Sequence, residues 1–154
     1  MIGRLKGTID ELGDHWALVD VNGVGYRVLC SSRTLARSVI GEVVILEIET
    51  HVREDHIHLY GFVDSKERDW FKLLTTVQGV GAKVGLGILS VLEPEELIRI
   101  VAAADSGAIS RAPGVGPKLA KRITSELKDK VIDIAADAIV KTPGAGIVST
   151  VQDT

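Results

Sequence analysis

Val77-Gln78-Gly79-Val80-Gly81-Ala82-Lys83 and Ala112-Pro113-Gly114-Val115-Gly116-Pro117-Lys118 are two versions of one phrase, and their reading decides the fold. Gly114 follows Gly79 by 35 residues (114 − 79). At the same offset Leu74 matches Ile109, Gly81 matches Gly116, Lys83 matches Lys118 and Ile88 matches Ile123. An apolar helix end, a Gly-Val-Gly turn and a second apolar helix are used twice, which marks an internal duplication.

The chemistry of the turn follows from its residues. Two glycines permit the left-handed dihedrals of a tight hairpin and remove Cβ atoms that would hold a ligand off. The helix starting near Ala82, or near Pro117, leaves its first N–H groups without intrahelical partners. Together with the positive end of the helix dipole, these donors form a phosphate site. Pro117 suits a first helical turn, where no N–H is needed. Val80 and Val115 are expected to plug each hairpin into its own helices, with Lys83 and Lys118 adding charge beyond the amides. The unit looks like a tandem helix-hairpin-helix, which grips nucleic-acid backbone without reading sequence. A dinucleotide or P-loop reading fails on spacing. After Pro117, Leu119, Ile123 and Leu127 form a buried stripe, while Lys118, Lys121, Arg122 and Ser125 share another face. The expected DNA-binding residues are therefore Gly79, Val80, Gly81, Lys83, Gly114, Val115, Gly116, Lys118, Lys121 and Arg122.

The chain has 154 residues, enough for one domain or two small ones. Hydrophobic residues make up 45% but aromatics only 4%, so the core must rest on Val, Ile, Leu and Ala. The single cysteine, Cys30, excludes an internal disulfide, suits a reducing cytosol and reads as a buried, inert thiol. Met1-Ile2-Gly3-Arg4-Leu5-Lys6 is strand-like rather than a signal peptide, and the apolar runs are too short to span a bilayer. A soluble cytoplasmic protein with no membrane role is expected. The net charge of −3 hides an uneven distribution. Residues 1–62 carry six Lys/Arg against nine Asp/Glu, whereas residues 63–130 carry eleven against nine. The positive balance falls on the hairpin segment but is slight, so nucleic-acid binding must depend on local placement and backbone donors.

The fold class is α+β with two domains. Residues 1–63 read as a five-stranded OB-type β-barrel, with strands at Ile2–Ile9, Trp16–Val21, Tyr26–Cys30, Val44–Glu49 and Ile57–Phe62. Asn22-Gly23 marks a two-residue hairpin, and a polar stretch near Ser31 to Arg37 interrupts the strands. Residues 64–135 read as an all-α tandem helix-hairpin-helix domain. Asp64 and Glu67 resemble a capping box before a helix with Trp70, Leu73, Leu74 and Val77 as its apolar stripe. Pro94 opens a further helix bearing Leu97, Ile98 and Val101, with Gly107 as its stop, and Ala108 to Ala112 is a short helix. Ala135 to Ala138 can extend the last helix. Residues 136–154 have linker character, a tether leading toward a further C-terminal module.

Thr50-His51-Val52-Arg53-Glu54-Asp55-His56 joins the last two strands. From composition alone, Glu54 and Asp55 are an ordinary solvated turn, since carboxylates repel phosphate. His51, His56 and His58 suggest metal, but only His56 and His58 share a face of their strand, so no metal or other cofactor is expected.

Met1-Ile2-Gly3-Arg4-Leu5-Lys6-Gly7, Asn22-Gly23-Val24-Gly25-Tyr26, Val52-Arg53-Glu54-Asp55, Leu59-Tyr60-Gly61-Phe62 and both Gly-Val-Gly hairpins occur in that order. In this the chain resembles the RuvA family, Holliday-junction recognition subunits of the bacterial branch-migration machine, over residues 1 to about 130. The resemblance implies an OB barrel, a tandem helix-hairpin-helix domain and a flexibly linked C-terminal domain. It also implies a homotetramer, or paired tetramers, holding four-way junction DNA open as a square in recombination and repair. The implied partners are the ATPase RuvB and the resolvase RuvC. Gly79, Gly81 and Lys83 then match the first phosphate hairpin, and Gly114, Gly116 and Lys118 the second, followed by Lys121 and Arg122. Glu54 and Asp55 match the family's acidic pin, which reverses the solvated-turn reading. The family's third domain makes its main RuvB contact and should follow the tether. The sequence as it stands is thus expected to bind junctions but stimulate the motor poorly. No catalytic residue is implied. Two other classes remain open on the residues alone: a helix-hairpin-helix glycosylase or nuclease, for which Asp105 and Asp129 lack a recognisable signature, and a structural adaptor.

Overall fold

The computed structural model describes residues 1–130. The expected helix extension at Ala135 to Ala138 and the expected linker 136–154 lie outside the described residues.

Five strands, β1 (Arg4–Leu12), β2 (Trp16–Val21), β3 (Val24–Cys30), β4 (Val43–Val52) and β5 (Ile57–Phe62), close a barrel in the order β1-β2-β3-β5-β4. All pairings are antiparallel except β3 with β5. Alternation puts Leu5, Ile9, Ala17, Val19, Val28, Cys30, Leu46, Ile48 and Leu59 inside. Asn22 and Gly23 both have positive φ, 51° and 91°, as the two-residue β2–β3 turn requires. The polar stretch after β3 is not a plain interruption. Ser32–Arg37 forms a helix, α1, with the Ser31 hydroxyl accepting from the Thr34 amide. Its apolar content is too small for periodicity to reveal it; the N-cap serine was the available signal.

The helical part comprises α2 (Ser65–Leu74), α3 (Ala82–Val91), α4 (Pro94–Ala102), α5 (Ser106–Ile109) and α6, helical from 117 through 130. Asp64 caps α2 by accepting from the Glu67 amide at 2.9 Å. The expected return bond differs: the Glu67 carboxylate accepts from the Val63 amide at 3.3 Å and from the Thr34 hydroxyl at 3.4 Å. Glu67 is thereby drawn to the barrel, where α1 supplies its partner. The expected stop at Gly107 is also corrected. Helix α4 ends at Ala102, Ala104 takes the left-handed conformation at φ 54°, and Gly107 sits inside α5. The Asp105 side chain accepts from the Ala108 amide and starts a new helix there, which outweighs the glycine signal.

One apolar cluster joins the barrel's rim to the helices. Tyr60 and Phe62 of β5 pack on Phe71 of α2, each with ring centroids 5.0 Å apart. Phe71 is fully buried and was missed in the sequence stripe, because it lies beside Trp70 on the arc facing the barrel. Burying a phenylalanine contributes about 2–3 kcal/mol. Further ties are Ser32 amide to Ser90 hydroxyl at 2.9 Å, Arg33 to the Leu92 carbonyl at 3.3 Å, and Arg68 to Glu47 at 3.1 Å. These bonds tie α1 to α3 and its end, and α2 to β4.

Candidate nucleic-acid interface

Each Gly-Val-Gly turn is built in the same way. In the first, Gly79 has φ 98°, the Val80 amide donates to the Val77 carbonyl at 3.0 Å, and Gly81 is the N-cap of α3. In the second, Gly114 has φ 83° and the Val115 amide donates to the Ala112 carbonyl at 3.2 Å. Val80 and Val115 are buried, whereas all four elbow glycines are exposed. A Cβ placed on Gly81 or Gly116 would meet nothing within 4 Å. No side chain caps α3. Its first amides therefore face open space, the arrangement that accepts an anion's oxygens. Lys83, Lys118, Lys121 and Arg122 are exposed beside these turns.

The duplication also governs how the hairpins pack on each other. The Cβ position of Gly79 meets Leu119 at 3.1 Å, and that of Gly114 meets Val84 at 3.5 Å. At the 35-residue offset Val84 is the counterpart of Leu119, so the two contacts are one contact seen from both sides. The Cβ position of Gly87 lies 3.6 Å from the Pro113 carbonyl oxygen. Arg122, the counterpart of Gly87, donates to the carbonyl of Gln78, the counterpart of Pro113, at 3.4 Å. The elbows are thus related by a local pseudo-dyad, and Arg122 helps to hold it while also lying 3.8 Å from Glu126. One guanidinium nitrogen of Arg122 is thus engaged by the neighbouring elbow's backbone. The repeat could have exposed this packing, since the partners share the sequence offset.

Glu54 and Asp55 stand exposed at the tip of the β4–β5 hairpin, closed by the Arg53 amide donating to the His56 carbonyl at 2.8 Å. The Asp55 carboxylate lies 2.8 Å from His56 Nδ1. They belong to the barrel, whereas the lysines belong to the helical part. The histidine reading needs one correction: His51 pairs directly with His58 across β4 and β5, so both share a face. Among the described residues no group of three or more His, Cys, Asp or Glu is arranged to hold a metal. Cys30 is buried, and burial pushes its thiol up to about 12, with the Glu67 carboxylate adding to the effect. Among the described residues, no helix is long and apolar enough to cross a membrane.

Comparison with known proteins agrees with this architecture. Residues 1–61 match the family model described as RuvA N terminal domain, and residues 71–129 match that described as SAM-like helix-hairpin-helix tandem. A protein of Paramagnetospirillum magneticum is 63% identical over 135 residues, covering 88% of this chain and 64% of its own length. One from Methylobacterium radiotolerans is 58% identical over 148 residues, covering 94% and 72%. One from Rhizobium rhizogenes is 60% identical over 139 residues, covering 90% and 68%. All three carry the name Holliday junction branch migration complex subunit RuvA. The chain spans about two thirds of the length of these relatives. With a closed five-stranded barrel, a duplicated glycine-elbow module and identities of this size, the chain belongs to the RuvA family.

Proposed function

We propose that this chain is a non-catalytic DNA-binding subunit that holds four-way junction DNA in an open square form and supports ATP-driven branch migration. The observation that carries the reading is the pair of exposed elbows related by a pseudo-dyad, with open space over Gly81 and Gly116. A pseudo-dyad matches the symmetry of two antiparallel strands, so each elbow takes one sugar-phosphate rail of a duplex arm. Amides of Gly81, Ala82 and Lys83 at the first elbow, and of Gly116 and Lys118 at the second, where Pro117 has no N–H to give, donate to phosphate oxygens. Lys83, Lys118 and Lys121 add charge. Val80 and Val115 anchor the turns from beneath, and Arg122 keeps the two elbows in step. These contacts position DNA and read no base.

Glu54 and Asp55 serve the opposite purpose. Four subunits around a fourfold axis bring eight carboxylates to the crossover, where they repel phosphate and part the strands. The homotetramer is supported by large exposed apolar side chains on the barrel: Val43 is 67% and Ile45 52% exposed on β4, with Val24, Val39 and Ile40 also exposed. Such a surface is what a partner subunit would cover. Two tetramers can sandwich a junction. The relatives' name places them in a branch migration complex, and this reading extends the role to the chain, with a RuvB ATPase and a RuvC resolvase as partners in the cytoplasm.

If each subunit neutralises roughly four phosphates, the log–log salt slope is about −3.6 per subunit. The decisive experiment is a gel shift with a four-way junction and a linear duplex of equal length. Preferential retardation of the junction is expected; equal affinity for both, or for neither, would overturn the reading.

A further inference from the structure

Between the barrel and the first elbow lies a cleft of about 400 Å³. Its barrel wall is His51, Arg53, His56, His58 and Tyr60, and its helical wall includes Thr75, Gly81 and Ala82. It runs from the anion-accepting elbow toward the acidic tip. The rings of His56 and His58 are 4.1 Å apart, and both residues are exposed. His58 Nδ1 is 3.4 Å from the Tyr60 hydroxyl. Asp55, one of the two tip carboxylates, lies 2.8 Å from His56 Nδ1.

We infer that this cleft is an additional backbone-phosphate subsite whose charge is supplied by His56 and His58, so that DNA binding tightens as pH falls through the histidine range. The inference rests on the elbow reading, because the phosphate concerned is the next one along the strand leaving Gly81. Arg53 gives the cleft a permanent positive charge. Two stacked neutral imidazoles repel little, and two imidazolium ions 4.1 Å apart repel strongly. An anion placed between them and Arg53 relieves that repulsion, so bound phosphate and bound protons favour each other.

The charged and titratable groups around the pair are Glu49 and His51 on β4, Arg53, Glu54 and Asp55 at the turn, and Tyr60 on β5; Phe71 of α2 and Thr75, which ends that helix, bring no charge. Burial lowers the pKa of His51 against the opposing pull of Glu49, 3.8 Å away. Histidine is the side-chain type whose ordinary charge change falls between about pH 5 and pH 8, which sets the range of the test.

The test is the junction dissociation constant by fluorescence anisotropy at about pH 8 and about pH 6, for the parent and for His56→Gln with His58→Gln. Exposed charge pairs predict about three- to tenfold tighter binding by the parent at the lower pH. The double variant should lose this response, whereas Lys118→Ala, on the other elbow, should keep it. A flat parent profile, or a double variant that tightens as much as the parent, would overturn the inference while leaving the elbow reading intact. Absence of junction binding at both pH values would remove the elbow reading itself and this subsite with it. Thermal melts of the double variant at both pH values separate a folding defect from a lost subsite. If it melts early, the single changes His56→Gln and His58→Gln, each expected to lose part of the response, take its place.

Discussion

Gly79→Ala and Gly81→Ala add the same methyl group two residues apart, and the structure assigns them opposite consequences. Gly79 holds φ 98°, where an L-residue costs about 1–2 kcal/mol, and its new Cβ would press on Leu119 at 3.1 Å. Lost unfolded-state entropy returns less than about 1 kcal/mol. Gly79→Ala should therefore destabilise by about 1–2 kcal/mol, a melting shift of several degrees. Gly81 sits at φ −89° and ψ −176°, which any residue adopts, and its Cβ would touch nothing within 4 Å. Its melting temperature should stay within about two degrees of the parent, because glycine and alanine at an N-cap differ by well under 1 kcal/mol once chain entropy is counted. Its methyl, however, stands where a phosphate would approach the α3 amides. Hydrogen bonds to charged groups contribute about 1.5–3 kcal/mol each, so one lost bond weakens junction binding by about tenfold or more. Calorimetry and anisotropy on the same preparations separate the two effects. Parent-like junction affinity in Gly81→Ala would refute the claim that open space over this elbow holds DNA.

Four further outcomes follow from particular residues. Lys118→Ala should weaken junctions of every sequence alike and reduce the salt slope by about one, as titrations at several salt concentrations would show. Glu54→Gln with Asp55→Gln should leave or raise junction affinity while altering migration, so an equal loss of affinity in this variant and in Lys118→Ala would contradict their separate roles. Glu67, buried where α2 meets the barrel, is raised above its usual 4.5 chiefly by desolvation. A raised carboxyl binds more protons in the folded state, so its contribution favours folding below the ordinary value and is lost as pH rises through the folded one. Glu67→Gln should flatten that part of the stability profile, measured by denaturant unfolding from about pH 4 to 7. The Cys30 thiol, buried and pushed up to about 12, should react with a thiol reagent only as fast as the protein opens.

Most of the architecture was legible because it rests on short-range rules. Alternation and Asn22-Gly23 predicted the strands, and the repeated Gly-Val-Gly predicted both elbows. The misses have local causes. Helix α1 has only six residues, and α4 stops at Ala102 rather than at Gly107 because Ala104 turns left-handed and Asp105 begins another helix. Phe71 escaped the periodic stripe because it packs against Tyr60 and Phe62, residues of another chain segment. The third histidine escaped because His51 meets His58 only through β4–β5 register, which is invisible within one strand.

By itself the sequence determined which groups are present and which dihedrals they favour: glycines where φ turns positive, lysines at matching offsets, carboxylates at a hairpin tip. Only the tertiary structure decided where those groups face. Gly79 against Leu119 and Gly114 against Val84 set the elbows in a pseudo-dyad, and the Phe71 cluster brings the first elbow beside the histidines. The reason is physical: backbone preference and charge belong to single residues, whereas a site's geometry is fixed by close packing between segments far apart in the chain.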